Sequence, residues 1–143
     1  MVERYLNDAQ MAALVETIEA AEELSTGEIR VHIDSATEGN MAQAAVEVFR
    51  RLQMDKTAER NGVLFHVNFN LRYLTIIGDE GINRAVSQGF WDKLHDETTN
   101  AFAKGFYFEG LRNAVVKTGA ELKRHFPITD KNPNELSNDI TFS

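Results

Sequence analysis

The chain contains no cysteine. That absence removes disulfides, thiolate nucleophiles and cysteine-based zinc or iron–sulfur sites together, and it leaves the compartment open. The four histidines show no His-x-x-x-His or similar ligand spacing, which excludes the common helical zinc motifs. There is no glycine-rich phosphate loop, no nucleophile elbow and no dinucleotide fingerprint. No apolar run approaches the length needed to span a bilayer. The N-terminal stretch MVERYLNDAQMAALVETIEAAEELS is charged throughout and lacks the apolar core of a signal sequence, so a cytoplasmic location without membrane insertion is expected. Positive charge is scarce: 15 Lys and Arg stand against 22 Asp and Glu, for a formal net charge of -7. Such a field repels a nucleic-acid backbone and better suits small cations or a basic partner.

What is present is an ordinary soluble composition, 43% hydrophobic and 26% charged over 143 residues, enough for one domain with its own core. Asn7 or Asp8 caps a helix whose apolar stripe is Met11, Leu14, Val15, Ile18 and Ala21. Ser25-Thr26-Gly27 stops it. From Glu28 to Asp34 apolar and polar residues alternate as in a strand. Met41 to Met54 returns to helical spacing, and Asp55 to Asn61 is a polar connection. Two short strands follow, Val63–Val67 and Arg72–Ile77, joined by a turn at Asn68-Phe69-Asn70 and therefore antiparallel. Helices are expected at 82–86, 89–103 and 108–125, the last closed by Pro127. His32 and His66 fall within strands as structural residues, and the aromatic clusters at helix starts read as core. The expected organisation is a domain over residues 1–127 and a polar, partly ordered tail over 128–143.

A strand–helix–strand unit makes two parallel strands with a right-handed crossover. Helices before, between and after the strands then cover both sheet faces, giving an α/β sandwich with a small mixed sheet. That topology has a chemical consequence. The start of the first strand (Thr26, Gly27, Glu28), the approach to the second (Asp55, Arg60, Asn61) and the end of the third (Gly78, Asp79, Glu80) meet at one sheet edge. Acidic and amide oxygens from distant segments converge there, as hard cations require. A second reading of Gly78-Asp79-Glu80-Gly81 stands beside it, in which Asp79 or Glu80 only caps the following helix. The turn is not an EF-hand: counting from Asp79, Arg84 occupies the position where that loop needs glycine.

The blocks "STGEIRVHI", "RNGVLFHV", "YLTIIGDEGIN" and "GLRNAVVKTGAELKRHFP", in this order, resemble the TPM domain family over roughly Asn7 to Pro127. The tail "NPNELSNDITF" is similar to that of its short, free-standing bacterial branch. The resemblance implies a three-layer α/β/α, Rossmann-like sandwich. It also implies binding of divalent cations, calcium especially, with magnesium as the other candidate. Carried over by position, the family's acidic edge falls on Glu28, Asn61, Asp79 and Glu80, with Asp55 as an addition. Some relatives are credited with acid phosphatase activity, in which Asp79 would be the catalytic residue, and some accompany LemA-type membrane proteins. Two functions are therefore expected to compete: a cation-binding interaction or stress-associated module, and a metal-assisted phosphomonoesterase. The first is favoured, because Arg60 and Lys56 are the only cations near the edge in sequence and a single Ca²⁺ activates water poorly.

Overall fold

The computed structural model of the chain describes residues 2–128 and 137–143. Helix α1 spans Asp8–Glu22, opened by a capping box in which Asn7 and Gln10 exchange side-chain and backbone hydrogen bonds. Strand β1 (Glu28–Ile33), helix α2 (Met41–Arg51) and strand β2 (Gly62–Asn68) form the crossover unit, and strand β3 (Tyr73–Gly78) closes a hairpin. The helices α3 (Glu80–Ala85), α4 (Gln88–Ala103) and α5 (Tyr107–His125) follow, and a last strand β4 covers Thr141–Phe142. The sheet order is β3-β2-β1-β4. β1 is parallel to both β2 and β4, while β2 and β3 are antiparallel. The parallel pair and the antiparallel hairpin agree with the topology expected from the sequence.

Helices lie on both faces of the sheet. On one face Ile29, Val31, Ile33, Val63, Phe65 and Val67 pack with residues of α1, α4 and α5 in a single core. On the other, Leu64 packs with Val48 and Phe49 of α2 and with Met54. Phe65 and Leu64 point to opposite faces and are both completely buried; each such side chain contributes about 1.5–3 kcal/mol by leaving water. The alternation in β1 does not mark a solvent face. All six of its residues are buried, so the side that carries Glu28, Arg30 and His32 is covered as well as the core side. His32 is held there by hydrogen bonds at both ring nitrogens, Nδ1 with Thr141 Oγ1 at 2.8 Å and Nε2 with Ser143 Oγ at 2.6 Å, one donating and one accepting in the neutral ring, and it stacks on His66 at 5.4 Å.

Helix ends differ from expectation by local chemistry. α2 ends at Arg51, and Gln53 takes a left-handed conformation (φ 59) that starts a separate 3-10 turn, Met54–Lys56. The hairpin turn lies one residue later than expected. Asn68 belongs to β2, and its Oδ1 accepts from Leu71 N at 2.9 Å while its Nδ2 donates to Ala36 O at 2.9 Å. Arg72 closes the turn at φ 55. The expected division at 127/128 falls next to residues 129–136, which lie outside the described residues. Among the residues after them, Thr141 and Phe142 pair with His32 and Ile33 in the sheet. Among the described residues, no helix is long and apolar enough to cross a membrane.

Candidate functional site

The sheet register brings the three expected segments to one edge. Glu28 pairs with Gly62 and Val63 with Gly78, and Asp79 N donates to Gly62 O at 2.9 Å. Glu28, Gly62 and Asp79 therefore form one row across the sheet, so the two carboxylates start about 10 Å apart, two inter-strand spacings. Gly62 leaves the middle of that row without a side chain. The Met54 carbonyl oxygen fills the space, 3.0 Å from where a Cβ would stand.

Asp79 has a firm structural role. It is the N-cap of α3, with Oδ1 accepting from Glu80 N at 2.9 Å. Its carboxylate is also gripped by Arg60, Nε to Oδ2 at 2.6 Å and Nη2 to Oδ1 at 2.9 Å. This bidentate, charge-assisted pair is of the strong kind, and hydrogen bonding to Asp79 raises the Arg60 pKa further. Arg60 Nη1 lies 3.5 Å from Glu80, which in turn meets Arg84 at 3.3 Å. The capping reading of the acidic turn is thus realised in the structure. Gly81 makes it possible: its N–H donates to Arg60 O at 2.8 Å, and a Cβ there would stand 2.1 Å from Glu59 O and 2.6 Å from Arg60 O. Only glycine permits that approach.

Asn61 is completely buried at the start of β2. Its Nδ2 donates to Thr26 Oγ1 at 3.1 Å, and its backbone N–H donates to Thr57 Oγ1 at 3.3 Å. The Thr26 hydroxyl in turn donates to Glu59, a carboxylate that motif reading passed over although it directly precedes Arg60-Asn61. The Oδ1 atoms of Asn61 and Asp55 are buried and accept no hydrogen bond among the described residues. A buried oxygen in that state is costly unless something satisfies it. Asp55 lies 3.9 Å from Lys56. Glu28 is buried beside Arg30 and Glu22.

Glu22 is the other residue missed from sequence. Desolvation raises its pKa to about 8, against a lowering by its hydrogen bond from Ile29 N at 2.7 Å. Its signal was available: it continues the α1 stripe after Leu14 and Ile18 at four-residue spacing, a carboxylate where an apolar side chain belongs. So the structure gathers Arg60, Asp79 and Glu80 into one ion-paired chain and Thr26, Glu59 and Asn61 into a hydrogen-bonded one. Among the described residues, no three His, Cys, Asp or Glu side chains form a group poised to hold a metal. Of the expected set, Asn61 and Asp55 offer unsatisfied oxygens, while Asp79 and Glu80 are engaged with arginine.

Comparison with known proteins supports the fold in detail. The BA42 protein from the psychrophilic bacterium Bizionia argentinensis is 35% identical, with a TM-score of 0.90 over 100% of this chain and 99% of that one. The N-terminal domain of a P. gingivalis protein is 20% identical at a TM-score of 0.69, covering 88% of this chain and 83% of its own. The N-terminal domain of the cg2496 protein from Corynebacterium glutamicum is 11% identical at 0.57, covering 89% and 78%. The last two are likenesses of fold alone. No curated protein matches the sequence. The TPM domain profile matches residues 2–121, and with that match over most of its length the chain belongs to the TPM domain family.

Proposed function

We propose that this TPM-domain protein binds a divalent cation at the acidic sheet edge, calcium ahead of magnesium, and acts as a binding or stress-associated module. The observation that carries the reading is the pair of buried, unsatisfied oxygens, Asn61 Oδ1 and Asp55 Oδ1, at the edge where the carboxylates of Glu28, Asp79 and Glu80 also begin. The donors are all oxygens, carboxylate and amide, with the Met54 carbonyl nearby. That set suits a hard cation with flexible geometry, hence calcium more than magnesium, which demands near-ideal octahedral packing. Asp79 joins such a site only by releasing Arg60, and Glu80 by loosening its contacts with Arg60 and Arg84.

A protein partner, with LemA-type membrane proteins as the candidate class, would read the edge once the cation has ordered it. The phosphomonoesterase alternative is less well supported. It needs a free carboxylate and a free cation for the phosphate oxygens, and here Asp79 and Arg60 occupy each other.

The test is a calcium and magnesium titration of the metal-stripped protein followed by amide NMR. Saturable shifts confined to 27–28, 54–61 and 78–81, weakened at least about tenfold in Asp55→Asn, are the expected result. Millimolar ion that leaves those amides unmoved would sink the proposal and leave the turn as a helix cap.

A further inference from the structure

At the opposite end of the β2–β3 hairpin lies a cavity of about 550 Å³, within the range of small-molecule sites. It opens where β2 ends and β3 begins, beside the carboxyl ends of the parallel strands, where open α/β sheets commonly take ligands. Its wall is aromatic. Tyr5 stacks on Phe69 with centroids 4.6 Å apart, and Tyr107 meets both edge-on at 5.0 and 5.2 Å. Its charge runs against that of the protein. Arg4 and Arg72 line it and no Asp or Glu does, although acidic residues outnumber basic ones, 22 to 15, in the whole chain. Both arginines are exposed, and neither has an ion pair among the described residues. Arg72 is also held at φ 55, a left-handed position that glycine or asparagine occupies more cheaply.

We propose that this cavity is a binding site for a small planar anion, an aromatic ring carrying a phosphate, of about the size of a nucleoside monophosphate. The ring lies against the Tyr5, Phe69 and Tyr107 wall, where offset and edge-on contacts favour aromatics. The anionic group sits between the Arg4 and Arg72 guanidinium groups, whose forked donors match phosphate geometry. The Thr99 hydroxyl on α4 lines the same cavity; it already donates to the His95 carbonyl at 2.9 Å, which leaves its oxygen free to accept from a ligand hydroxyl. The site is independent of the acidic edge and of any cation there.

Titration of the full chain with adenosine monophosphate in the presence of EDTA, read by amide NMR, tests it. Saturable shifts are expected at Arg4, Tyr5, Arg72, Thr99 and Tyr107, with Gly78–Gly81 unmoved. Adenosine and inorganic phosphate alone are expected to bind roughly tenfold more weakly than the nucleotide. Arg72→Gln and Arg4→Gln, each shown to be folded by its unliganded spectrum, are expected to weaken binding about fivefold to tenfold. The proposal is overturned if about 5 mM nucleotide leaves these amides unmoved, if the shifts appear at the acidic edge instead, or if both arginine variants bind as the wild type does.

Discussion

The two ends of the β2–β3 hairpin are built on opposite principles. At the end where β3 meets α3, charge is spent internally: Arg60 clamps Asp79, Glu80 bridges Arg60 and Arg84, and Thr26 ties Asn61 to Glu59. At the end where β2 turns into β3, two arginines border an aromatic cavity and pair with nothing among the described residues. The first end is knit closely by backbone approach and ion pairs. The second is open, and left-handed backbone does not tell the ends apart, with Arg60 at φ 53 in the first and Arg72 at φ 55 in the second. A short sheet can thus hold an acidic end whose ionic charges are largely paired apart from a cationic end whose arginines have no ion pair among the described residues, with six paired residues of β2 and β3 between them, farther than a Debye length of about 8–10 Å.

Substitutions can break the comparison or sharpen it. The largest effect is expected for Gly81→Ala, which forces a Cβ against two backbone carbonyl oxygens. It should cost about 3 kcal/mol or more and dismantle the acidic end, while Gly89→Ala, whose Cβ would meet nothing closer than 3.7 Å, should not destabilise. Chemical denaturation of both variants measures the difference.

The middle of the sheet supplies the next effect. Desolvation, with a smaller push from His66, lowers the His32 pKa to about 4, and desolvation also lowers that of His66. At His32, between pH 6.5 and 4, the unfolded chain therefore binds more protons than the native one. The stabilisation from neutral His32 is fully present above pH 6.5 and is lost as pH falls to about 4, a change of about 3 kcal/mol. The difference in denaturant midpoint between the wild type and His32→Gln should move against the wild type in the order pH 7, 5.5 and 4, which isolates the His32 contribution from those of other groups. Glu22 acts with the opposite sign. Its pKa is raised to about 8, so the unfolded chain loses its proton first and stability declines from pH 4.5 towards 8. Glu22→Gln is expected to remove that decline.

Arg60→Gln sharpens the reading of the acidic end. If Asp79 is held back from a cation by Arg60, freeing it should strengthen calcium binding by about tenfold; unchanged affinity in calorimetry would exclude Asp79 from the ligand set. The smallest effect is expected at the other end. Arg72→Gly relieves a left-handed arginine and should stabilise the fold by about 0.5 kcal/mol while losing nucleotide affinity.

Most of the fold was legible because its signals are local. Apolar periodicity marked each of the longer helices to within a few residues, and the Asn7 and Asp79 caps follow from residue type. The crossover rule then set strand directions, and with them the edge that gathers Glu28, Asn61 and Asp79. What was not legible depended on the third dimension. The pattern of β1 cannot say that Glu28, Arg30 and His32 are buried, since a strand covered on both faces and a strand covered on one can alternate alike. The Arg60–Asp79 clamp spans 19 residues and rests on a backbone approach that only Gly81 hints at. The cationic cavity draws on Arg4, Arg72 and Thr99, which lie far apart in sequence and share no motif.

Strand β4 has a consequence for how copies of this chain behave together. Ser143 N donates to Ile33 O at 3.0 Å and Ser35 N donates to Ser143 O at 2.9 Å, while Glu22 occupies the Ile29 N–H nearer the start of β1. Between them, two residues of strand and one carboxylate sheathe the outer rim of β1. Without residues 137–143, β1 would lose these partners for its backbone amides and carbonyls, and an unpaired strand edge is a template on which a neighbouring molecule's strand can pair. Removal of residues 137–143 is expected to show as dimers or larger species in light scattering before any loss of helix is seen.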